Sequence, residues 1–244
     1  MRSCPDHSDL LKAAVTEGVR WWFQFDGPQQ LLIERNKGHI TREHVRAIAS
    51  TYNFGRNLVG GDPGVDHVVS AVNTFAGKTF PTYRSRAEAI AETVPRLQES
   101  VAGETNSGKA FRLVSGMTKL TWFVAPERWT PFDRLAAKAV GANNQDLLKR
   151  MKSFYEKLDG IGFVELSAAI AESAKKTSFA QVTGERILDK YLMFNGEPAW
   201  TNATLPMVKA YQDTLPGTLK RELAEFQEAV ATGPAGKIDL GENR

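Results

Sequence analysis

The sequence predicts an all-α fold. Apolar residues recur at helical spacing in most windows, no segment alternates in the manner of a strand, and no β-hairpin signature is found. Glycine and proline clusters supply the punctuation between these helical patterns.

In chain order, Leu10, Leu11, Ala14 and Val15 mark a first helix that leads into Trp22, and Val45, Ile48 and Ala49 mark a second. Further helical patterns cover residues 66–75, 86–101, 144–158, 164–175, 184–194 and 218–231. Pro95 interrupts the pattern 86–101, where its missing N–H and ring clash predict a kink or a split helix. Breaks are expected at Gly60-Gly61-Asp62-Pro63-Gly64, at 103–108 and at Gly196-Glu197-Pro198. They read as loops within one domain spanning 1–232, or within two packed helical lobes. Residues 233–244, small and polar, read as a loose tail.

A chain of 244 residues with 42% hydrophobic content can bury a full core without disulfides or metals. Its one cysteine, Cys4, excludes a disulfide framework or cysteine-rich zinc site within a single chain and favours a reducing compartment. The start, Met1 to His7, lacks the apolar stretch of a secretory signal, and no apolar run approaches the roughly 18–20 residues that span a bilayer. A cytoplasmic location without a membrane partner is therefore expected. A net charge of +3 permits a polyanionic partner without requiring one. His7, His39, His44 and His67 show no metal-ligand spacing, and the reading includes no metal and no cofactor.

The stretch from Phe111 to Gly141 carries the chemical signal. Phe111 to Leu120 reads as a helix end, a tight turn at Ser115-Gly116, and a new helix with Lys119 in its first turn. Thr121 to Ala125 continues the apolar face until Pro126, and Trp129-Thr130-Pro131-Phe132-Asp133 opens another helix that runs through Val140 and stops at Gly141.

This arrangement resembles the active-site region of the helix-hairpin-helix DNA glycosylase superfamily, which includes the 8-oxoguanine glycosylases. The matching residues are Gly116-Met117-Thr118-Lys119 and Pro131-Phe132-Asp133, within about thirty residues. The resemblance implies that Lys119 is a nucleophile and Asp133 its electrostatic partner. It also implies that Ser115, Gly116, Met117 and Thr118 hold a DNA phosphate, and that the fold is of the glycosylase type.

The chemistry is consistent with those residue types. Breaking an N-glycosidic bond builds positive charge on the sugar, which a carboxylate stabilises, while a neutral amine can attack C1′ and form a Schiff base. Backbone N–H groups at a helix N-terminus can hold a phosphate while one base is flipped out. Trp122, Phe123, Trp129 and Phe132 flank the pair and are candidate pocket walls. The implied activity is base excision, extending to strand nicking by β-elimination. The alternative is a catalytically inactive protein of the same fold that binds nucleic acid or a protein partner, as in bacterial defence systems.

Structural roles compete for the same residues. Lys119 also reads as an ordinary helix lysine and Asp133 as a capping residue in a box-like start at Thr130. The cluster Trp21-Trp22-Phe23-Phe25 reads as core packing more readily than as a stacking platform. Lys149, Arg150, Lys152, Lys175 and Lys176 fit a solvated face or phosphate contacts. Arg186 and Lys190, one turn apart, are expected on a charged rim, with Ile187, Leu188, Tyr191 and Leu192 in the core.

Overall fold

The computed structural model describes residues 6–58, 60–102, 113–238 and 240. Among them all regular structure is helical, in agreement with the sequence. The α-helices are α1 His7–Trp21, α2 Gly27–Arg35, α3 Arg42–Thr51, α4 Gly61–Asn73, α5 Tyr83–Ala102 and α6 Val114–Val124. They continue with α7 Arg134–Ala139, α8 Leu147–Gly160, α9 Phe163–Ala174, α10 Gly184–Gly196, α11 Pro198–Thr214 and α12 Gly217–Thr232. No helix among the described residues is long and apolar enough to cross a membrane.

Local sequence explains most of the helix ends. The Asp6 side chain accepts from Asp9 N at 2.8 Å, and Thr41 and His44 form a reciprocal capping box at the start of α3. Pro198 occupies the first turn of α11, where its missing donor costs nothing. The expected break there is present, but the helix that follows it was not evident from the apolar pattern.

Three expectations are corrected. The glycine-rich stretch at 60–64 is mostly helix: left-handed Gly60, φ +84°, precedes α4, and Pro63 lies in its first turn. Pro95 does not split α5, which runs unbroken from Tyr83 to Ala102, so of the two outcomes expected there the split is excluded. Part of the segment expected as a loose tail packs, since Pro234–Lys237 forms a 3₁₀ turn with Ala235 buried. Cys4, Phe111 and the break at 103–108 lie outside the described residues.

The chain divides into two compact units. The first comprises Met1–Asp26, Asp133–Asn143 and Lys157–Arg244. Its central helix is α10, against which α1, α7, α9 and α11 pack. Two glycines allow this crowding. A Cβ on Gly184 would lie 1.9 Å from the Ser167 carbonyl oxygen of α9, and one on Gly196 would lie 1.8 Å from the Leu135 oxygen of α7. Ile187, Leu188, Tyr191 and Leu192 are core, as the sequence predicts. The expected charged rim is absent, because α10 is covered on several sides: Arg186, Asp189 and Lys190 are all buried.

The second unit comprises Gly27–Phe132 and Asn144–Glu156. Here α6 is the central element, packed by α2, α3, α4 and α5. All of its residues except Ser115 are buried, as expected for a helix that is apolar on most sides.

Candidate active site

Helix α6 positions Lys119. Val114, Met117, Leu120 and Val124 recur at helical spacing and bury fully, so the helix is anchored along its length. The tight turn expected at Ser115-Gly116 is not formed: both residues lie in the first turn of α6, and Lys119 falls in the second. Met117 and Thr118 follow inside the same helix, and Gly116, Met117 and Thr118 are buried. Gly116 faces Leu113 and the Phe54 ring.

The non-helical segment Thr130 to Phe132 is fastened to this helix by side chains. The Phe132 N–H donates to Thr118 Oγ1 at 3.0 Å, and the Thr118 hydroxyl donates to the Ser115 carbonyl at 2.8 Å. Ser115 Oγ donates to the Phe132 carbonyl at 2.9 Å, and Tyr155 OH on α8 donates to the Thr130 carbonyl at 3.0 Å. Three backbone groups of this buried, non-helical segment, the Thr130 carbonyl and the Phe132 N–H and carbonyl, are thus satisfied by hydroxyls.

Lys119 completes this network. Its amine donates to Ser115 Oγ at 2.6 Å and to the Phe132 carbonyl at 3.2 Å, and it lies 5.9 Å from the centre of the Tyr52 ring. The residue is only 6% exposed. Asp133, the next residue after Phe132, belongs to the first unit and is the N-cap of α7, accepting from Leu135 N at 2.9 Å. The helix start that the sequence predicts near Pro131 therefore falls at Asp133 itself, and Thr130 does not cap it.

The four aromatic candidates are all buried. Trp122 and Phe123 meet edge to face at 4.8 Å, Phe123 meets Tyr52 at 6.2 Å, and Phe132 meets Phe154 at 5.6 Å. Trp129 has Tyr155 stacked 4.0 Å away and the Arg86 guanidinium 4.3 Å from its centre. Arg86, on α5, donates to the carbonyls of Thr121 at 2.7 Å and Ala125 at 2.6 Å, closing the C-terminal end of α6. Burial pushes its pKa down to about 9. Nothing in the sequence around Arg86 distinguishes it from a solvated helix arginine, whereas the four-residue spacing of Ser115 and Lys119 was a readable signal for their pairing.

Comparison of the chain with family models, with curated proteins and with solved structures gave no match.

The remaining sequence candidates are dispersed. Lys149, Lys152, Lys175 and Lys176 are exposed, Lys175 pairs with Glu172 at 2.5 Å, and Arg150 donates to the Asn144 carbonyl. Trp21, Trp22 and Phe25 are half-buried, and Phe23 is 42% exposed beside Phe179. His7 bonds Tyr191 OH and His39 bonds the Lys37 carbonyl, while His44 serves the α3 capping box.

Proposed function

We propose that the chain is a DNA-directed, glycosylase-like enzyme that extrudes a modified or unusual purine and cleaves its N-glycosidic bond through Lys119, with Asp133 as the electrostatic partner. The observation that carries this reading is the Lys119 amine held out of water at the carbonyl of Phe132, the residue that precedes the half-buried Asp133 carboxylate in the chain. The resemblance of 116–119 and 131–133 to glycosylase active sites supports the same roles.

The chemistry balances as follows. A neutral Lys119 Nζ forms a bond to C1′ while the bond from C1′ to the base nitrogen breaks; the base leaves with that electron pair and takes up a proton. The Asp133 carboxylate stabilises the cationic sugar in the transition state. Opening of the sugar ring then gives a protonated imine, and water hydrolyses it to free the amine. Loss of a C2′ proton from the imine, with departure of the 3′ phosphate, is the nicking branch.

A second reading has its own observation in favour. Gly116, Met117 and Thr118 are buried, and the Lys119 amine already joins Ser115 to Phe132, as a structural lysine would. On this reading the chain is a glycosylase-like protein without catalysis that binds nucleic acid or a partner.

Borohydride trapping on duplexes carrying modified purines or an abasic site separates the two. A covalent adduct with the parent, absent in Lys119→Gln, supports the enzyme. Asp133→Asn should retain the cap but slow base release. If no duplex yields an adduct, the catalytic reading falls. Duplex affinity that drops steeply with salt then supports the binding protein, and affinity unchanged by salt removes that mode as well.

A further inference from the structure

We propose that Lys190 is a pH-sensitive switch in the first unit: its protonation state sets how tightly α1 and α10 hold together. The inference is independent of any role for Lys119.

The geometry isolates one buried ammonium. Lys190 is 3% exposed. Its amine lies 3.9 Å from Met193 Sδ, 4.0 Å from Asp189 Oδ2 and 4.4 Å from the centre of the Trp21 ring. The neighbouring carboxylates are engaged by other donors. Arg186 takes Asp26 and Asp189, each at 2.8 Å. Glu17 accepts from Arg20 Nε and Nη2 and from the Trp21 indole N–H, all at 2.7 Å. Lys190 is left with a thioether, an indole face and a distant share of Asp189, which is poor compensation for a desolvated charge.

Its pKa follows from that surrounding. Burial, followed by the Arg186 charge, pushes it from 10.5 down to about 8, while Asp189, Glu17 and Asp26 pull the other way. No other charged group on the elements packed against α10 is buried. Arg134 and Lys138 of α7, Glu165 and Glu172 of α9, and Lys209 and Asp213 of α11 are exposed, and Lys138 pairs with Glu197 at 2.9 Å. On α10 itself, Glu185 accepts from Ser167 Oγ at 3.3 Å, and Tyr191, bonded to His7, has its pKa pushed up to about 12.

The direction of the effect is fixed by linkage. Between about pH 8 and 10.5 an unfolded chain carries a proton on Lys190 that the folded unit has released, so stability rises with pH across that window. Below it the folded unit bears the full cost of the buried ammonium. Tyr191 acts oppositely, but only from about pH 10 upward.

The test uses the full chain with 13C-labelled lysine. One 13Cε resonance should titrate near pH 8, and that resonance should be absent in Lys190→Met. Glu17→Gln, which keeps an acceptor for Trp21, should move that midpoint downward. The parent's unfolding midpoint should rise from pH ~8 to ~9, below the range in which the buried Arg86 also releases its proton, and Lys190→Met should lose that rise. The proposal is overturned if no lysine resonance titrates below pH ~9.5, or if Lys190→Met keeps the parent's rise. Should Lys190→Met fail to fold, an early-titrating resonance that Glu17→Gln leaves unmoved overturns it instead.

Discussion

The Lys119 amine donates to the Ser115 hydroxyl one helical turn earlier, across 2.6 Å, and that hydroxyl donates onward to the Phe132 carbonyl. The two side chains therefore act as one clamp on the backbone leading into Asp133. A double-mutant cycle with Ser115→Ala and Lys119→Met should show a coupling on the order of 0.5–3 kcal/mol, the range for buried hydrogen bonds. Urea unfolding of the four proteins measures it. Additive losses would mean that the two side chains act separately.

Thr118 is expected to contribute through its hydroxyl rather than its shape. Thr118→Val keeps the shape but leaves the buried Phe132 N–H without its acceptor, a loss of about 1–3 kcal/mol. Thr118→Ser keeps the hydroxyl and should lose less. Equal unfolding midpoints for the valine and serine variants would refute this role.

Arg86 spans two carbonyls that a lysine amine cannot match with planar geometry. Arg86→Met should cost on the order of 3 kcal/mol, and Arg86→Lys should recover only part of it. Thermal unfolding monitored by tryptophan fluorescence reads both, because the guanidinium rests on Trp129. Full recovery in the lysine variant would show that charge alone suffices.

Glycine positions give a paired contrast. Gly184→Ala and Gly196→Ala drive a methyl into backbone carbonyls, and each should lose about 3 kcal/mol or more. Gly217→Ala, at the start of α12 with open space around it, should be neutral or gain about 0.5 kcal/mol. Similar melting temperatures for all three variants would contradict the close packing of α10.

The helical class was legible because Leu11, Val15, Val45 and Ile48 repeat at helical spacing and all bury. Asp133 was legible as a residue at a helix start, since a carboxylate after Pro-Phe is a strong capping signal. The turn at Ser115-Gly116 was misjudged: glycine suggested a break, but here its missing side chain admits Leu113 and Phe54 against an unbroken helix. Helix α11 escaped notice because Pro198 and Pro206 suggest interruption, although the first only initiates the helix. Arg186 and Lys190 looked like a solvated pair because their burial depends on distant chain: Asp26 lies 160 residues from Arg186. Periodicity reports which face is apolar, and it is silent about a helix covered on several sides.

The division of the first unit into three separated stretches of chain bears on how the protein is made. Helix α1 and Asp26, which follows it, leave the ribosome before α10, and Arg186, the buried partner of Asp26, lies 160 residues further on. At about 5–20 residues per second, that gap corresponds to roughly 8–32 s of synthesis. The second unit has emerged almost entirely by then and can fold in the interval, while nascent α1 carries Leu11, Val15 and Val19 without α10 to dock on. Nascent-chain chaperones that bind exposed apolar helices should therefore engage this segment, and should release it only after α10 has been translated.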